Sequence, residues 1–224
     1  MKINADKTKV ALFNTARKYD FMPQLSTNQN TNLEVVENFR LLGIQFQTNM
    51  GWQSNTNHMC KNAYSRIWML RRLRRLGASH ADMLDVYYKQ IRCVLEMAVA
   101  VWTPGITKAE SVQIERVQKC ALHVILGENY QSYTQAIFTL GVEKLSQRRF
   151  RLSLNFARRC EKNQKYANWF KLSENSIPPN RNTRGGMNTK LTKYTPVPYR
   201  TERYQKSPLP FLTNLLNEYH MKKK

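Results

Sequence analysis

Acidic residues are scarce in this chain: 15 Asp and Glu stand against 36 Lys and Arg in 224 residues, a formal charge of +21. A compact protein with that excess repels itself and attracts polyanions, so a nucleic acid or another acidic surface is the expected partner. Long hydrophobic runs are missing as well. The most apolar stretch, Val94 to Trp102, is interrupted by Glu96 and falls far short of the roughly 20 residues that span a bilayer. With a mean hydropathy of −0.61, no membrane partner is expected. The opening Met1-Lys2-Ile3-Asn4 holds no apolar leader, so an intracellular protein of the nucleus and cytoplasm is expected.

Cysteine is sparse and scattered: Cys60, Cys93, Cys120 and Cys160 stand singly, with no CxxC pair. That excludes the disulfide framework of a small secreted domain and suits a reducing compartment. His58-x-Cys60 and Cys120-x-x-His123 have no further ligands at zinc-like spacing, so no metal site is expected. A glycine-rich phosphate loop, a GxSxG elbow and a Cys/His nucleophile pair are all absent, which removes the common motif-bearing enzyme classes. Aspartate occurs four times, as Asp6, Asp20, Asp82 and Asp85, never adjacent. Asp82 and Asp85 share a helix face, but Asp82 falls in the first turn, where an acid complements the helix dipole.

What remains divides by composition. Residues 1–48 read as short strands and polar loops, with an apolar run at Val10 to Phe13 and alternation through Leu42, Ile44 and Phe46. Residues 49–128 and then 129–174 read as helices, predicted at about 55–76, 79–102, 108–126, 132–140 and 143–164. Ser79-x-x-Asp82, Thr107-x-x-Glu110 and Ser132-x-x-Gln135 have capping-box spacing, and Gly77, Gly127 and Gly141 stand where left-handed C-caps are expected. Two core stripes are predicted, Tyr87, Tyr88, Ile91, Val94, Leu95 and Ala98 on one helix, and Val112, Ile114, Val117, Ala121, Leu122 and Ile125 on another. Residues 175–224 hold ten Lys/Arg and only Glu202 and Glu218 as acids. They read as a basic, partly extended tail with a short terminal helix at Pro208 to Tyr219. The expected fold is therefore mainly α, with a small N-terminal β part, a helical bundle and a basic tail.

The sharpest functional signal lies at the end of the first helix. Helical periodicity places Arg71, Arg72, Arg74 and Arg75 on one arc with Trp68 among them, and Met69, Leu70, Leu73 and Leu76 opposite. Guanidinium groups around a large flat ring suit phosphate contact combined with stacking on a base or sugar.

Several segments, in order, resemble reverse transcriptases of jockey-like non-LTR retrotransposons. Asn4-Ala5-Asp6-Lys7-Thr8 is similar to the segment after the catalytic aspartates, and Phe39-Arg40-Leu41-Leu42-Gly43-Ile44 to the primer-grip hairpin. Ile67-Trp68-Met69-Leu70-Arg71-Arg72-Leu73 resembles the start of the thumb, and Ala100-Val101-Trp102 and His123-Val124-Ile125-Leu126-Gly127 its later helices. Tyr204-Gln205-Lys206-Ser207-Pro208 resembles the carboxyl end of such an enzyme. The resemblance implies a palm remnant at 1–48, a thumb-like region at 49–128 and a C-terminal region beyond. It implies Leu42 and Gly43 near a primer terminus, Lys7 near nucleotide phosphates, and a template–primer duplex of RNA or DNA as partner, together with the rest of the polymerase. The family uses Mg2+ on a Tyr/Phe-x-Asp-Asp turn that this sequence lacks, so the chain is expected to hold no cofactor and to extend no primer by itself. A host protein retained as a basic RNA- or DNA-binding module, or a basic scaffold docking on acidic partners, are the alternatives.

Overall fold

Helix punctuation decides most of the architecture. The computed structural model describes residues 4, 8–13, 25–26, 32–173 and 192–222. Two small two-stranded sheets precede a mostly helical chain. Strands β1 (Lys9–Val10) and β2 (Glu34–Val35) pair in parallel, and β3 (Asn38–Leu41) and β4 (Ile44–Gln47) form an antiparallel hairpin. The helices follow as α1 (Gln53–Arg75), α2 (His80–Val86), a π-helical stretch (Tyr87–Arg92), α3 (Cys93–Glu96), α4 (Val99–Trp102), α5 (Lys108–Leu126), α6 (Tyr133–Leu140), α7 (Leu145–Lys162), α8 (Glu202–Gln205) and α9 (Pro208–Lys222). Among the described residues, no helix is long and apolar enough to cross a membrane.

The caps form as the spacing predicts. Thr107 and Glu110 complete a reciprocal capping box, and Ser79 and Ser132 accept the amide hydrogens of Asp82 and Gln135. Gly77, Gly127 and Gly141 all have positive φ, but Gly127, with ψ −120, lies outside the left-handed helical region expected of it. At Gly77 the chain turns back so that Ala78 N–H donates to Leu73 O at 3.1 Å, the bond that closes a Schellman end.

The chain packs as two units, Met1–Met97 with Ile106–Val142, and Ala98–Gly105 with Glu143–Lys224. This division departs from the compositional one at three places. The helix predicted over 79–102 ends at Glu96, because Met97 is extended (ψ 125) and Ala98 left-handed (φ 49). Ala98 is accordingly exposed, not part of the core stripe. The apolar period continues beyond the break into α4, but its Ala100 packs in the core of the second unit. Residues 129–142 belong to the first unit, where Gln118 Nε2 donates to Tyr133 Oη at 2.9 Å. Val112, predicted as core, is 51 % exposed.

The third departure concerns the basic tail, part of which is core. Tyr194, Leu212 and Leu216 are buried with Ala100, Ala157, Cys160 and Phe170. Asn217 holds the Tyr194 backbone at both polar groups, accepting its N–H at 2.9 Å and donating to its C=O at 3.0 Å. Charge dominates the composition of this segment, yet a few apolar side chains at helical spacing are enough to anchor it.

Glu161, on α7, ties the same segment down. Lys193 Nζ and His220 Nε2 each lie 2.8 Å from its Oε1, and the Tyr194 hydroxyl donates to the same oxygen. Burial opposes ionisation of Glu161, but these hydrogen bonds outweigh it and hold the carboxyl at about 2, below the ordinary 4.5. A depressed folded-state value stabilises above the unfolded value and loses its effect as pH falls through the folded one. The second unit should therefore lose stability between pH 4.5 and about 2. Urea unfolding of wild type and Glu161→Gln checks this: the gap between them is expected to be widest above pH 5 and to narrow as the pH approaches 2.

Candidate nucleic-acid interface

The first unit is organised around α1. Its hairpin is fastened to the helix start, where Ser54 N–H donates to Gln47 Oε1 at 3.0 Å and Gln45 N–H donates to Asn55 Oδ1 at 3.2 Å. Phe39 and Phe46, directly paired across the hairpin, stack at 5.4 Å, and Phe13 and Trp52 extend the row on either side. The helix then buries Met59, Cys60, Ala63, Ile67 and Leu70. Alongside it runs α5 in the same direction: Gln113 meets Asn57 near one end and Val124 meets Arg74 near the other.

The buried face of α1 is not the one expected. Leu70 is fully buried, but Met69 and Leu73 are only half-buried and Leu76 is 73 % exposed. The core direction passes through Ala63, Ile67 and Leu70, close to the position of Arg74. Arg74 therefore leaves the cationic face. Its Nη1 donates to Val124 O at 3.1 Å, and a Cβ built on Gly127 would fall 1.6 Å from its Nη2. The guanidinium occupies the space that glycine leaves and satisfies a carbonyl at the end of α5, a place where a cation also complements the helix dipole. Arg74 is a structural cap for α5.

Arg71, Arg72 and Arg75 remain exposed, with Trp68 58 % exposed beside them. Among the described residues, none accepts a hydrogen bond or ion pair from these three arginines. Exposed Lys61 and Tyr64 continue the same face toward the helix start. At 3.6 residues per turn, Lys61, Tyr64, Trp68, Arg71, Arg72 and Arg75 fall within an arc of about 100° and extend over roughly 20 Å. The whole of α1 carries no Asp or Glu. A groove of ≈ 530 Å³ opens at its end, lined by Arg71, Arg74, Arg75, Cys120, His123 and Val124. His123 packs edge-on against Tyr130 at 4.8 Å. Burial, reinforced by the Cys120 and Cys60 thiols, raises the Tyr64 phenol above its ordinary value, while the neighbouring Arg116 guanidinium pulls it down.

Compared with known protein families, curated proteins and solved structures, the chain matches none.

The geometry therefore has to speak alone, and it separates residues that the sequence reading joined. Leu42 and Gly43 form the hairpin turn, both with positive φ (49° and 88°), as a type I′ turn requires. Leu42 projects from its tip, 90 % exposed. Gly43 faces Asn55, His58, Asn62 and Arg66, which by helical period lie on the far side of α1 from Trp68. The two sets thus form separate surfaces. Lys7 lies outside the described residues. His58 and Asn62 bond to one another at 3.0 Å, and Cys60 is buried. Asp82 caps with Ser79 and Asp85 pairs with Lys89 at 2.6 Å.

Tyr64 and Lys61 were available to sequence reasoning, since 61, 64, 68, 71 and 75 follow the three- and four-residue spacing of one face. Arg116 and His123 were not, because only the packing of α5 along α1 brings them there.

Proposed function

We propose that this chain binds nucleic acid on the exposed face of α1 and the adjoining end of α5, as the C-terminal part of a jockey-like non-LTR retrotransposon reverse transcriptase. One observation carries the reading. Three arginines without acidic partners among the described residues are interleaved with two exposed aromatic rings, on a helix with no acid, in a chain of charge +21. The arginines supply phosphate contacts that carry no sequence information, and Trp68 and Tyr64 supply flat apolar surface for bases or sugars. The retrotransposon origin rests on the resemblance of the motifs, and with it the template–primer as the natural ligand. Lacking the paired carboxylates, the chain contributes grip to a polymerase and no chemistry.

Fluorescence anisotropy with a labelled primer–template over a range of potassium chloride concentrations tests the reading. Log affinity is expected to fall linearly with log salt, with a slope near −0.9 for each phosphate neutralised. Trp68→Ala should weaken binding by roughly 1–3 kcal/mol, the worth of one stacked base, with the slope almost unchanged. Full affinity in Trp68→Ala would remove the ring from the interface, and a salt-independent affinity would remove the phosphates.

A further inference from the structure

The side of α1 turned away from Trp68 holds a second, unrelated feature. There the hairpin turn, α1 and the end of α3 surround a cavity of ≈ 200 Å³. Arg40, Asn55, His58, Asn62 and Arg66 form its polar wall, and Ile44, Met59, Val94 and Met97 its apolar one. Among the described residues lining it there is no carboxylate. Apart from Arg40, which is exposed, the polar wall is held in place by its own bonds. Arg66 Nη1 donates to Gln90 O at 2.7 Å, Asn62 Nδ2 lies 3.0 Å from His58 Nε2, and Asn55 Oδ1 accepts from Gln45 N–H. Gln90 belongs to the π-helical stretch, a local widening that recurs at functional sites. Gly43 closes the cavity from above, so near Met97 that an added Cβ would lie 3.1 Å from its Cε.

Two guanidinium groups on different elements, with imidazole and amide groups between them, are the donor set of a tetrahedral oxyanion. The apolar wall suits a sugar ring or another short carbon fragment attached to it. The volume admits one such unit and no base-paired duplex. A phosphodiester needs two exits for its chain, whereas a monoester enters phosphate first and brings the double charge that two guanidinium groups favour. We propose that this cavity binds a phosphate monoester. A free phosphorylated metabolite and the terminal phosphate of a nucleic-acid strand both present that group. The site stands whether or not the α1–α5 face binds nucleic acid.

Isothermal titration of the full chain with adenosine 5′-monophosphate, with adenosine as control, tests the site. One equivalent of the monophosphate should bind and adenosine should not. Arg40→Gln, at an exposed position, should weaken binding about tenfold or more, the worth of a charge-assisted hydrogen-bond pair. Arg66→Gln should do the same, with its circular dichroism and melting curve reporting any cost of losing the Gln90 contact. The Arg71, Arg72 and Arg75 to Gln variant should bind the monophosphate normally. Equal binding of adenosine, unchanged affinity in Arg40→Gln, or loss of binding in the triple variant would each overturn the proposal. Oligonucleotides with and without a 5′-phosphate separate the sources: tighter binding of the phosphorylated strand assigns the site to strand ends, and equal binding assigns it to a free phosphate.

Discussion

Replacing Arg71, Arg72 and Arg75 together with glutamine should lower affinity for a nucleic-acid duplex by on the order of a hundredfold at 0.1 M salt. All three side chains are exposed, and no described residue bonds to them, so in the free protein they hold counterions only. Each phosphate they neutralise releases condensed cations. Losing three contacts should flatten the log–log slope by about 2.7 on duplex DNA, taking 0.9 for each. Stability should not change, since none of the three lies toward Ala63, Ile67 and Leu70. Arg74 provides the internal control, because its guanidinium caps α5 over Gly127. Arg74→Gln should leave the slope intact and cost about 1 kcal/mol of stability by removing the hydrogen bond to the Val124 carbonyl. Anisotropy titrations in parallel with urea unfolding separate the two effects. A triple variant that keeps both affinity and slope would place the binding surface elsewhere.

Leu216→Ala should destabilise the second unit by about 3–4 kcal/mol, within the range for fully buried leucines whose cavity cannot collapse. Leu216 has no exposed surface, and its neighbours in the core come from α4, α7, the Phe170 turn and the Tyr194 segment. The wall around it is thus built from pieces distant in sequence, and relaxation into the void would have to move several of them at once. Hydrogen exchange should show α7 and α9 losing protection together. Removing residues 175–224 to ask whether a basic tail binds nucleic acid would therefore unfold the unit instead. Substituting Lys222, Arg200 and Arg203 alone tests tail charge without touching Tyr194, Leu212 or Leu216.

The fold was legible in the sequence wherever a local rule sufficed. A serine or threonine hydroxyl reaches an amide three residues on regardless of what surrounds it, so the caps at Ser79, Thr107 and Ser132 could be read directly. Positive φ at Gly77, Gly127 and Gly141 follows for the same reason. Decisions made by tertiary packing were not legible. Periodicity shows that Leu95, Val99, Ala100 and Trp102 are apolar, but not that Met97 and Ala98 turn the chain from one core to another. On α1 the leucines at 73 and 76 suggested one buried face. The small residue Ala63, which lets α5 approach, together with Ile67 and Leu70 selected another. Arg74 shows the same limit within the candidate site. It is indistinguishable from its neighbours by composition, and only Gly127, more than fifty residues away, gives it a different job. Alternation placed Leu42 and Gly43 in a strand, whereas they form the turn of the hairpin, and the cavity beneath them needed Arg66 and Met97, which no motif contained.

The discontinuous build of the second unit sets an order of events during synthesis. Ala100 on α4, buried in the finished protein with Leu212 and Leu216 of α9, leaves the ribosome long before them. The intervening residues 106–142 belong to the other unit and can fold first. At about 5–20 residues per second, the interval from residue 105 to residue 222 lasts roughly 6–23 s. Throughout it the part of α4 that meets α9 lacks that cover. The finished protein hides this hydrophobic debt, but a nascent chain stalled anywhere before α9 exposes it to chaperones and to other nascent chains.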